Sequence, residues 1–190
     1  ESLRRAIIGV LNSSVATSLL AALAPTLNIV VGDIAKLPII TPSQGSGFTQ
    51  TVKDAVNSAR VDWDSFETSW DFSTQPWPLQ PGQLREVAEA VATRWAIESG
   101  QQRARETQVN RSVAEEFGLE NEVPIDVPLD RVSLARNVEF RYGPGRTSAG
   151  YASLERADAA LEFVSFAVGC MFGRYSLDEP GLILADQGAT

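Results

Sequence analysis

FVSFAVGCMFGRYSLD, residues 163–178, is the stretch whose reading decides the fold. Just before it, Glu155, Arg156, Asp158 and Glu162 fall on one side of a helical pattern, with Leu154 and Leu161 on the other. After Glu162 no charged residue occurs for eleven positions, and Ser165 is the one hydroxyl among them. A helix that begins amphipathic and turns apolar all round is expected to bury its second half. Gly169 and Gly173, four residues apart, leave a notch for close approach of another backbone. Gly173 is also placed to end the helix, with Arg174 near its carbonyl end. The rest of the chain is expected to pack around this rod.

Working outward, 190 residues suffice for one good core or two small ones. A hydrophobic content of 44% with 21% charge is that of a globular protein. The longest apolar run falls short of the ~20 residues a membrane span needs. Arg4 and Arg5 lead into a patterned helix rather than a cleavage site, so no signal peptide is expected. The first residue is Glu1 and not a start methionine, so residue 1 is expected to lie inside a longer polypeptide. A single cysteine, Cys170, has no internal disulfide partner and points to a reducing cytoplasm. Its apolar setting reads as an inert core thiol. Histidine is absent, which removes Ser-His-Asp triads, Cys-His pairs and the usual zinc sites together.

Residues 2–24 read as a helix, with Leu3, Ile7, Val10, Leu11, Leu19 and Leu23 on one face, interrupted by Asn12, Ser13 and Ser14 and ended by Pro25. LNIVV (27–31) and VSLA (132–135) are the two short β elements of an otherwise α chain. Pro38 confines 34–40 to an edge or extended segment. TPSQGSG (41–47) is a linker between a 1–40 appendage and a helical body at 48–190. Within that body, helices are expected over 48–60, 83–100 (ending at Gly100) and 101–117 (stopping at Gly118). Trp63, Phe66 and Trp70 lie at i, i+3 and i+7 and should anchor a further helical stripe while Asp62, Asp64, Glu67 and Asp71 face water. Residues 73–82 hold three prolines and Trp77, an extended segment laid over a surface. The expected fold class is mainly α: a helical body with two short β elements, as a C-terminal fragment of a larger α/β enzyme.

Few residues offer chemistry. Gly143-Pro144-Gly145 and Gly45-Ser46-Gly47 lack the third glycine of a dinucleotide fingerprint, and neither Lys36 nor Lys53 follows a phosphate-cradling loop. Asp62, Asp64 and Glu67 allow a metal-dependent hydrolase reading, with the solvated helix face as the plainer one. The net charge of −8 disfavours a free-standing nucleic-acid binder. That charge is uneven: residues 131–150 hold Arg131, Arg136, Arg141 and Arg146 against the one acid Glu139. These four arginines are the DNA-contact candidates, reading equally as a solvated surface.

Several segments together resemble one family. LNS (11–13), PTLN (25–28) and VGDIAKLPI (31–39) resemble the region closing the DNA-recognition portion of restriction-modification methyltransferases. DWDSFETSWDF (62–72) and GCMFGRYSLD (169–178) resemble the C-terminal region of the BREX phage-defence adenine-specific DNA methyltransferases. VNRSVAEEFGL (109–119) is similar to a helix-to-Gly-Leu element of the same region. The resemblance implies an enzyme that moves a methyl group from S-adenosylmethionine to adenine N6 in double-stranded DNA, marking host DNA for a defence system. The Asn-Pro-Pro-Tyr motif that holds the flipped base in that family does not occur in these residues, nor does its glycine-bearing cofactor motif. No catalytic, cofactor-binding or metal residue is therefore carried over. The chain is expected to be a non-catalytic, cytoplasmic segment supporting DNA recognition. Its implied partners are double-stranded DNA, other defence subunits and the remainder of its own polypeptide. The alternative is a docking module for other defence subunits that never touches DNA.

Overall fold

The computed structural model describes residues 1–24, 28–39, 47–73, 75 and 84–183. Most of the expected linker, Leu27 of the first β run and the Trp77 segment lie outside them. Seven α-helices and one 3-10 turn are present among the described residues. They are α1 (Ser2–Leu11), α2 (Ser14–Leu23), α3 (Val31–Ile34), α4 (Phe48–Asp64), α5 (Leu84–Phe117), α6 (Val138–Tyr142) and α7 (Ser148–Met171), with the 3-10 turn at Leu129–Arg131. The chain is mainly helical, as expected, but neither β-type run forms a strand among the described residues. Asn28, Ile29 and Val30 lead straight into α3, and 132–135 runs through a tight bend. A β-type run needs a neighbouring strand to satisfy its backbone, and here turns and side chains take that role.

The helix expected over 2–24 is two helices bent by 61°. The polar interruption causes the break. Ser13 Oγ accepts from the Ala16 amide at 3.3 Å and caps α2, while Asn12 Nδ2 donates to the Ile8 carbonyl at 2.8 Å and closes α1. In the opposite sense, Gly100 does not stop a helix: α5 runs through it for 34 residues. It ends at Gly118, whose φ of +66° lets the Leu119 amide reach back to the Ala114 carbonyl.

The chain divides into two compact units, Glu1–Ser58 with Gln101–Pro128, and Ala59–Gly100 with Leu129–Thr190. In the first, Ala6, Val10, Val15, Phe48, Val52, Val109, Val113 and Ala114 form the core. Gly9 lets α1 approach α4, since a Cβ there would lie 2.6 Å from Phe48 Cζ and Val52 Cγ2. Asn110 ties this unit together, accepting from the Ser14 amide at 2.9 Å and donating to the Ile125 carbonyl at 3.1 Å.

The second unit has two small cores. Val87, Val91 and Trp95 form one with Ala88 and Ala159. Phe72, Phe166 and Tyr175 form the other, with Phe166 and Tyr175 stacked at 5.1 Å and Phe72 edge-on to both. Here the glycine notch is filled: a Cβ on Gly169 would lie 2.5 Å from Tyr175 Cδ2. Gly173, at φ +70°, ends α7, and the Arg174 amide bonds the Gly169 carbonyl at 2.8 Å.

The expected burial of α7 is overturned. Phe166 and Gly169 are buried, yet Leu161 is 70% exposed, Val164 58%, Met171 83% and Phe172 77%. The unit supplies Phe72 and Tyr175 to one face of the helix and nothing comparable to the other among its described residues. The aromatic stripe over 63–70 is corrected too. Helix α4 stops at Asp64 and the chain turns. Trp70 is 98% exposed and Trp63 55%, while Asp62 is buried.

Candidate nucleic-acid interface

The buried Asp62 sets the geometry of the arginine segment. Its Oδ2 accepts from the Ala135 amide at 2.6 Å and its Oδ1 from the Arg136 amide at 2.9 Å. Burial raises the Asp62 pKa against the lowering effect of these two amide bonds and of the nearby guanidinium groups. One residue after the clamp, Asn137 holds the same bend, donating to the Leu129 and Val132 carbonyls at 2.7 and 2.8 Å. Val132 and Leu134 are thereby buried at 0% and 1% exposure without any sheet.

The Arg136 side chain then lies inside the unit. Its guanidinium carbon sits 3.8 Å from the Phe66 ring centre. It reaches both carboxylate oxygens of Glu162, at 2.8 and 3.0 Å. It also donates to Ser65 Oγ and to the Ser65 carbonyl, each at 3.0 Å. Burial lowers the guanidinium pKa and the Glu162 carboxylate opposes that. Arg141 lies next to it near the surface, pairing with Asp158 at 2.7 Å and Glu162 at 3.8 Å.

Thus the structure brings Arg136 and Arg141 together around Glu162 and leaves the other two candidates elsewhere. Arg131 is exposed at the end of the 3-10 turn. Arg146 is exposed too, with Nε donating to the Tyr142 carbonyl at 3.1 Å. Sequence reading overlooked Asp62 as the organiser, because its partners are backbone amides more than seventy residues away. The carboxylates once grouped with it diverge. Asp64 accepts from Ser69 Oγ at 2.6 Å, and Glu67 from Gln75, Ser165 and Tyr175.

Beside Arg136 is a cavity of about 60 Å³, bordered by Ala88, Ala92, Trp95, Arg141, Tyr142 and Glu155 among others. Trp95 Nε1 is buried with no hydrogen-bond partner among the described residues. Burial raises Glu155 here, and burial followed by a hydrogen bond to Asp158 raises Tyr142. The cavity is far below the ~300 Å³ at which cofactor pockets begin. An open groove of about 420 Å³ lies at the end of α7, and there Ser165 and Tyr175 already bond Glu67.

The chain that carries this arrangement is similar to two adenine-specific methyltransferases. The chain is 31% identical over 183 residues to the adenine-specific methyltransferase BrxX of Escherichia coli O9:H4 (strain HS), covering 96% of this chain and 15% of that protein. It is 30% identical over 186 residues to the adenine-specific methyltransferase PglX of Lacticaseibacillus casei (strain Zhang), covering 92% of this chain and 14% of that protein. The chain thus spans about 15% of the length of the curated relatives it matches. No protein-family profile matches it. Among the described residues no single helix is long and apolar enough to cross a membrane.

Proposed function

We propose that this chain is a non-catalytic segment of an S-adenosylmethionine-dependent adenine-N6 DNA methyltransferase of a BREX-type phage-defence system, working in the cytoplasm. The observation that carries the reading is similarity along nearly the whole chain to two adenine-specific methyltransferases. The chain then helps to position duplex DNA through individually exposed arginines. Arg131 and Arg146 are its contacts, and Asp62 and Asn137 fix the bend between them. The methyl-transfer chemistry and most of the phosphate affinity lie elsewhere in the polypeptide, given the net charge of −8 here.

The second reading, a docking module for other defence subunits, is favoured by the burial of Arg136, which withdraws one of four candidate cations from solvent. One experiment separates the two. Arg131→Glu with Arg146→Glu in the complete methyltransferase should weaken duplex binding and shallow its salt dependence by roughly two phosphate contacts. Unchanged binding and slope would leave the docking reading. Methylation of duplex DNA by the isolated 190-residue chain would overturn both.

A further inference from the structure

We propose that the bare face of α7 is an interface covered by another part of the same methyltransferase polypeptide. This rests on the functional reading above and goes beyond it by assigning the surface and its occupant. Leu161, Val164, Val168, Met171 and Phe172 are 70%, 58%, 44%, 83% and 77% exposed. At the helical rotation per residue they span an arc of roughly 100°. Phe166, Gly169 and Cys170 point roughly the opposite way, and there Phe72 and Tyr175 cover them. A helix apolar on two opposed faces belongs between two layers, and the described residues of this unit supply one.

The face is also shaped for contact. Val168 and Phe172 form a wall of the open groove of about 420 Å³. Leu177, 63% exposed, follows in the segment beyond the helix. Covering five such side chains would take a large apolar area out of water, which is a strong drive to associate.

What covers it follows from two observations. The chain matches only 15% and 14% of its relatives, so most of each relative's length lies outside the matching stretch. A covalently attached partner is held at high effective concentration, so a single helix face suffices to dock it. A second copy fits less well, because each copy carries a net charge of −8 and the two repel. The occupant is accordingly an apolar helix or sheet face in the remaining polypeptide.

Met171 is the chain's only methionine and lies in this stripe, which gives a direct probe. Its oxidation by hydrogen peroxide can be followed by mass spectrometry in the 190-residue chain and in the complete polypeptide. The expected result is fast oxidation in the chain at every protein concentration, and oxidation slower by at least about tenfold in the complete polypeptide. A photo-crosslinker at Val164 should join to sequence of the same polypeptide outside these residues. Equal rates in the two forms overturn the proposal. So does concentration-dependent protection of the isolated chain, which would mean a second copy, or a crosslink to a different protein. Protection of Met171 in a polypeptide that methylates no adenine sinks the functional reading and leaves the interface. Methylation with Met171 unprotected does the reverse.

Discussion

Two regions of the second unit invert the usual rule of apolar inside and polar outside. Around Phe66, a carboxylate, a guanidinium and an amide side chain (Asp62, Arg136 and Asn137) are among the most buried groups of the chain. Along the end of α7, five large apolar side chains face outward. The first region is stable because each of its polar groups meets a partner of opposite character at 2.6–3.2 Å. The second has no such closure within the described residues. A polar cluster that closes on itself belongs to the fold, and an apolar face left open belongs to an interface.

Breaking the closed cluster should have the largest effect. Arg136→Ala leaves the partly buried Glu162 with only the longer Arg141 contact at 3.8 Å and removes the ring contact. A cost of about 3–5 kcal/mol in urea unfolding is expected. Asp62→Ala strips the acceptor from two amides, and about 2–3 kcal/mol should be lost. Gly169→Ala pushes a methyl into the Tyr175 ring and should cost about 1–3 kcal/mol, with loss of the near-ultraviolet signal of that aromatic cluster. The same range is expected for Gly9→Ala, where the obstacle is the Phe48 ring.

A smaller, pH-dependent effect concerns Glu106 on α5. Burial raises its pKa above 4.5, opposed by the hydrogen bond from Gln102. The folded state therefore holds this proton more tightly than the unfolded chain. Stability falls as pH rises through the raised value. Glu106→Gln should accordingly raise the thermal midpoint at pH 7, and the gain should disappear below pH 4.5. A gain that persists in acid would show that the carboxylate's burial is not the cause.

Much of the helical framework was legible in the sequence. The polar interruption at 12–14 and the stop at Gly118 follow from local chemistry that a sequence displays, whereas the 61° bend at that interruption was not read. Gly100 misled because a helical glycine costs only about 1 kcal/mol, which the surrounding Ala, Glu, Arg and Gln residues outweigh. The periodicity of Trp63, Phe66 and Trp70 was real, but α4 ends at Asp64 and the later residues leave the helical phase. The four arginines were legible as a group. Their fates were not, because Arg136 is decided by Glu162, 26 residues on, and by Ser65, 71 residues back. Spacing along a chain does not carry such pairings.

The most direct test of the contrast is urea unfolding of two variants of the chain side by side. One is Arg136→Ala, and the other carries Val164→Gln, Val168→Gln, Met171→Gln and Phe172→Gln together. The single arginine change should lower the unfolding free energy by about 3 kcal/mol or more. The four-fold change, on exposed positions with a good helix former, should alter it by less than about 1 kcal/mol. The reverse order, with the apolar face costing more than the arginine, would contradict the account.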